Sequence, residues 1–326
     1  MAQNNSDDKR PSDKEGQKNA GAPEEMVYYH ADGSVRERQS FKGGKRDGET
    51  VVFDAEGQVV RREGYKEGEP DGEFISYVAG AVAGKSVYKN GEKVSQTFFH
   101  ANGKPCQAMA FKDGEIHGEM LTCDDEGRPA QKENYKNGVL QGEAVYFAES
   151  GLPVSKAEYK NGKLDGPMLA YHQGRIQTVI HFKNGKQHGD FISYTPQGSI
   201  LVKQKYAEGK LNGEALFYDD EEHLVKKSCY VNDVLHGEAL DYHSGGKQIR
   251  QRSNYKEGLL DGDVTVYFEN GDVMEERSYR KGKQEGDTVV YDAKGKKTAH
   301  APEKPPAGKG KTSLEKFSEL ILGKED

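Results

Sequence analysis

The sequence predicts an all-β protein. It reads as an elongated single-sheet ribbon of about eleven tandem β-hairpins, with a disordered N-terminal tail and a short C-terminal amphipathic helix. Three observations carry this. Aromatic residues recur every 23 to 25 positions, glycines follow each at fixed offsets, and apolar and polar residues alternate with a period of two between them.

The recurring aromatics, called anchors below, are Phe41, Tyr65, Tyr88, Phe111, Tyr135, Tyr159, Phe182, Tyr206, Tyr230, Tyr255 and Tyr279, one per copy. Glycine stands three positions after the anchor in ten of eleven copies, Asp233 being the exception. It stands seven after in ten of eleven, Ser95 being the exception. The framework glycines are Gly44 and Gly48, Gly68 and Gly72, Gly114 and Gly118, Gly138 and Gly142, Gly162 and Gly166, Gly185 and Gly189, Gly209 and Gly213, Gly258 and Gly262, and Gly282 and Gly286. Twelve after the anchor a second aromatic appears in nine copies, from Phe53 and Tyr77 to Tyr291; Cys123 replaces it in the fourth.

Each element follows from these columns. After the second glycine the alternation predicts a half-buried strand, with Ile75 and Tyr77, Val145 and Phe147, Ile192 and Tyr194, or Val289 and Tyr291 facing inward. A third glycine (Gly57, Gly103, Gly127, Gly151, Gly198, Gly271) closes a hairpin turn, and a more polar strand runs to the next anchor. The Lys-Asn-Gly step then makes a tighter turn, because Asn and Gly tolerate positive φ. A lone hairpin is marginal in water, so the copies must stack and cover each other. Residues 26–40 read as a leading half-copy that caps the first edge.

The columns of Tyr159 to Gly174, YKNGKLDGPMLAYHQG, resemble the MORN (membrane occupation and recognition nexus) repeat in its bacterial variant form, over about residues 26–300. The resemblance implies stacked β-hairpins used for scaffolding, oligomerisation or protein binding. Some eukaryotic members are linked to membranes, and many bacterial variants are labelled antitoxin components of toxin–antitoxin systems. The first-strand Trp of the eukaryotic pattern is missing here.

The chemistry-bearing columns read as structural. A phosphate-binding loop needs GxxxxGK[ST] opening a helix; the glycine pairs here open strands and never precede Lys-Ser or Lys-Thr. His117, His188 and His236 share one column, but other copies place Asp, Asn, Gln or Glu there, which marks a turn. At roughly 10 Å per copy they are too far apart for one metal ion. An acidic row (Glu49, Glu73, Glu119, Glu143, Asp190, Glu214, Glu238, Asp263, Asp287) and a basic row after the anchor (Lys42, Lys66, Lys89, Lys112, Lys136, Lys160, Lys183, Lys256, Arg280) are expected to pair across strands. No catalytic residue, cofactor site or metal site is expected.

Composition limits the rest. The 326 residues carry 40 glycines and a net charge of −7, with mean hydropathy −0.93, which argues against a nucleic-acid binder. Three cysteines at wide spacing (Cys106, Cys123, Cys229) make no disulfide framework. The N-terminus has no apolar signal-peptide core, so a cytoplasmic protein is expected. Residues 1–25 read as a disordered tail, 26–300 as the array and 301–311 as a flexible linker. Residues 312–326 read as a short amphipathic helix or docking peptide. Thr312 and Glu315 form a capping box, and Leu314, Phe317, Leu320 and Ile321 fall on one face as candidate partner-binding residues. The alternative is that this helix caps the array. The expected function is protein–protein interaction as a scaffold or adaptor, with antitoxin or membrane-surface roles as alternatives.

Overall fold

The computed structural model describes residues 24–298. They form twenty-six β-strands and no helix. The predicted linker and the residues Leu314, Phe317, Leu320 and Ile321 lie outside the described residues. The strands group into two compact units, one holding residues up to Pro153 with 159–162, the other holding 154–158 and 163 onward.

Within each unit the strands pair antiparallel in sequence order, with Val139–Leu140 and Gly142–Phe147, and Leu259–Leu260 and Gly262–Tyr267, forming two halves that pair with the same preceding strand. In the first unit, β1 (Glu24–Tyr29) pairs with β2 (Val35–Lys42), β2 with β3 (Lys45–Phe53), β3 with β4 (Val59–Lys66), and β4 with β5 (Glu69–Val78). Two kinds of turn alternate. The tight one is a two-residue loop: Glu67 and Gly68 have φ of 52° and 96° between the paired Lys66 and Glu69. Positive φ at both positions is the type I′ geometry that matches strand twist, and it explains the Asn-Gly preference. In four copies the wider turn is closed by an aspartate thirteen after the anchor. Asp54 Oδ1 accepts from the Gln58 amide at 2.7 Å, and Asp124, Asp219 and Asp292 repeat the motif.

Two details differ from the sequence reading. The strand begins at the fourth residue after the anchor, not at the second glycine. Gly166 sits inside the strand Lys163–His172 with φ of 130°. The glycine marks a bulge: Gln39 pairs with Thr50 but Phe41 with Arg46, leaving two extra residues on β3. The inward face also differs. Directly paired residues share a face, and side chains alternate along a strand. Gly48 pairs with Tyr65, Tyr65 with Pro70, and Thr50 with Glu63, so the anchors share a face with the positions nine after and two before an anchor. That face holds nearly all the buried strand residues, including Thr50, Ala144, Val202, Ala215, Ser228 and Val264, each at most 2% exposed. Of the opposite face, where Ile75 and Tyr77 lie, only Cys123, Val145 and Leu240 are buried.

Candidate interaction surfaces

The edge formed by the tight turns is a hydrogen-bonded ladder. In eight of the tight turns the glycine donates its amide to a carbonyl of the preceding copy, as Gly68 does to Arg46 and Gly91 to Pro70, both at 2.8 Å. The polar column before the second glycine completes it. Asp71 Oδ2 accepts from the Asn90 amide at 3.0 Å, Gln141 from Asn161 at 3.1 Å, and Asp165 from Asn184 at 3.0 Å. In the histidine column, His117 Nδ1 lies 3.2 Å from Asn137 Oδ1, while His188 Nδ1 lies 3.9 Å from Glu208 Oε1 and makes no hydrogen bond. Among the described residues no three His, Cys, Asp or Glu side chains converge as a metal site. A shallow crevice between two successive turns is lined by Lys136, Asn137, Val139, Gln141, Lys160 and Asn161.

The anchor face carries stacked rings and phenol–carboxylate pairs. Phe74 lies between Tyr65 at 5.4 Å and Tyr88 at 4.5 Å, with the Arg46 guanidinium 5.0 Å from the Tyr65 centroid. Phe74 occupies the position nine after its anchor, so that position is flanked by the anchors of its own and the next copy. A small residue there, such as Ala144 or Ala215, is covered completely. Glu133 is buried and accepts from the Tyr135 hydroxyl at 2.8 Å and the Tyr146 hydroxyl at 3.5 Å. Burial, then the neighbouring Glu133 carboxylate, push the Tyr135 phenol up to about 12.

The opposite face carries the ion pairs of the acidic row, with a partner the sequence reading did not choose. The acidic row pairs with a basic column three before the next anchor. Arg62 meets Glu49 at 2.9 Å, Lys85 meets Glu73 at 2.5 Å and Lys132 meets Glu119 at 2.6 Å in the first unit. In the second, Lys227 meets Glu214 at 2.6 Å and Arg252 meets Glu238 at 3.2 Å. The row after the anchor, including Lys66, Lys89, Lys112 and Lys256, sits exposed at the turns. The basic column was visible as Arg62, Lys85, Lys132, Lys227 and Arg252 at one offset; register alone decides which row it meets. Cys123 is buried, and burial pushes its thiol up. The framework glycines hold the turns and bulges.

One departure from the repeat was not singled out by sequence reasoning. The position four after the anchor is Lys or Glu in eight copies, but Val139, Val234 and Leu259 in the fifth, ninth and tenth. These three are 42–50% exposed. The ninth copy also replaces the usual lysine by Val231, 45% exposed, and the usual glycine by Asp233 at φ of 71°.

These features define a tandem β-hairpin repeat protein whose chemistry is spent on turns and cross-strand pairing. The family described as MORN repeat variant matches residues 260–281, which span the strand Gly262–Tyr267, the wide turn and the strand Val273–Arg280 with its Tyr279 anchor. The match supports a MORN repeat protein. No curated protein matches it. Among solved structures it is similar to the Tc holotoxin pore of Photorhabdus luminescens, at 10% identity and TM-score 0.16, covering 84% of this chain and 20% of that one. It is also similar to TcdB2-TccC3-TEV, at 11% identity and TM-score 0.18, covering 84% of this chain and 16% of that one. The chain thus spans a fifth or less of these structures, and likeness at these scores carries no argument.

Proposed function

We propose that this is a non-enzymatic repeat protein of the cytoplasm that binds another protein, as a scaffold or adaptor. It uses the sheet surface and the C-terminal segment around Leu314, Phe317, Leu320 and Ile321. The observation that supports this is the exposed aliphatic ridge at Val231, Val234 and Leu259, which interrupts an otherwise charged column. Apolar side chains stand here at positions most copies fill with lysine or glutamate, and exposed apolar groups of this kind favour contact with another surface. Neutralisation of a toxin is the second reading, consistent with the label many MORN variants carry. Attachment to a membrane surface is the third; among the described residues no helix is long and apolar enough to cross a membrane.

The test is affinity capture from native extract with the full chain and with a chain ending at residue 311. One protein captured in stoichiometric amount, and rebound from purified components, supports the reading. No such protein with either chain overturns it. Toxicity of a neighbouring gene relieved by co-expression would select the antitoxin role. Sedimentation with anionic liposomes that weakens with salt would select the membrane role.

A further inference from the structure

We propose that residues 312–323 dock, in the free protein, onto the aliphatic ridge of the same chain's tight-turn edge in copies nine to eleven. This goes beyond the protein-binding reading and does not require it.

The ridge is defined by register. Val231 and Val234 are directly paired across the turn, so their side chains share one face. Val234 Cγ1 lies 3.3 Å from where a Cβ on Gly258 would sit, and Leu259 Cδ2 lies 3.5 Å from the same point on Gly282. Each aliphatic side chain therefore leans on the bare backbone of the next turn. No side chain rises from Gly258 between Val234 and Leu259. The two are two strands apart, roughly 10 Å at the usual inter-strand spacing. Asp233 holds a left-handed backbone where ten copies use glycine, and its carboxylate accepts from the Leu211 amide at 2.7 Å. A non-glycine residue held there is unusual, and it coincides with the two valines of the same turn.

The occupant is argued from length, spacing and charge. The described chain ends at Thr298, paired with Val290 in the last long strand, within the same unit as the ridge. Residues 299–311 span up to roughly 43 Å when extended. The ridge lies about two copies back, roughly 20 Å, and one strand length across, roughly 25 Å. Leu314 and Ile321 are seven residues apart, about 10.5 Å along a helix, which matches the Val234–Leu259 separation. Residues 312–323 carry Glu315 and Glu319 against Lys316. Lys256 is the direct partner of Leu259, and Lys283 follows Gly282. A short tether gives an effective concentration in the millimolar range, enough for a helix of three turns that would not hold alone.

The test is hydrogen exchange on the full chain at low concentration with no partner present. Amides of residues 314–322 are expected to be protected at least about tenfold over unstructured chain. Val234→Lys with Leu259→Lys introduces the residue other copies use in that column, and is expected to remove the protection while leaving residues 24–298 unchanged. Phe317→Asp, which leaves the sheet untouched, is expected to do the same. Three outcomes would overturn the proposal: free exchange in the wild-type segment, protection that survives the ridge variant, or protection that grows with protein concentration. The last would assign the ridge to a second copy. None of these results bears on whether the protein captures a partner.

Discussion

Gly48 and Gly72 occupy the same column in adjacent copies, yet alanine should cost more at the first. Both hold positive φ, 111° and 97°. A side chain strained in this way costs about 1–3 kcal/mol. Alanine also restricts the unfolded chain, which offsets about 0.4–1 kcal/mol of that loss. The two sites differ in what a new methyl meets. At Gly48 it would lie 3.0 Å from Ser40 Cβ, which is fixed to the backbone of the facing strand. At Gly72 nothing lies within 4 Å, and the residue at the facing position before that anchor is Gly64. Overlap with a group that cannot swing away adds about 1–3 kcal/mol. Gly72→Ala should therefore destabilise by about 1–2 kcal/mol, and Gly48→Ala by about 2–4. Urea midpoints at matched m-values read the difference, and exchange rates of β2 to β4 locate it. Equal losses at the two sites, or a larger loss at Gly72, would refute the steric argument and leave strain alone.

Asp71→Ala should remove one side chain-to-turn hydrogen bond, costing about 1 kcal/mol, and speed exchange at the Asn90 amide it holds; unchanged exchange there would show the ladder idle. Arg62 and Glu49 are both largely exposed, so a double-mutant cycle should return under about 1 kcal/mol, and its coupling should fall with salt. Tyr135 should ionise last among the tyrosines. Its phenol keeps its proton in the folded state up to about 12, while the unfolded chain releases it near 10. The stability it contributes is therefore complete below about pH 10 and is lost as the pH rises toward 12. A difference ultraviolet titration of Tyr135→Phe against the parent checks this, and loss of an early-titrating band would contradict it.

The hairpins and both turn types were legible because each rests on a local demand. The glycine of the tight turn shows in the sequence, although the residue before it holds positive φ as Glu67 or Lys281 as well as Asn. The face of the sheet that buries its residues was not legible, and the reason is physical. Reading Ile75, Ile192 and Val289 as inward assumes that the most apolar column is the covered one. Among the described residues the sheet has no second layer, so cover comes from neighbouring rings on the same face. Small residues between anchors then become the buried ones, which is why Ala144, Ala215 and Ser228 are at 0% while Ile75 is not. The acidic row was paired with the wrong lysines for a related reason. Gly48 sits opposite the next anchor, Tyr65, so Glu49 meets Arg62, three residues before it, while Lys66 lies out at the turn.

Regularity also limits what the repeated columns can do. A glutamate that meets a lysine in each of several copies, or a turn aspartate that meets the next amide in each, gives a partner no reason to choose one place on the sheet. Specificity must come from positions where a copy departs from its neighbours at no evident gain to its own hairpin. The ninth copy departs at three positions within four residues: Val231, Asp233 and Val234. Asp233 keeps the geometry of the glycine it replaces and adds a hydrogen bond to Leu211, so the turn survives while its surface changes. The two valines do the opposite, leaving the backbone as it was and exchanging exposed charge for exposed hydrocarbon. A turn altered in surface but conserved in shape is what selection for contact would produce. Restoring Lys-Asn-Gly-Lys at residues 231–234 should leave the melting temperature within a few degrees while removing whatever binds there. A large loss of stability would instead show that the valines serve the fold.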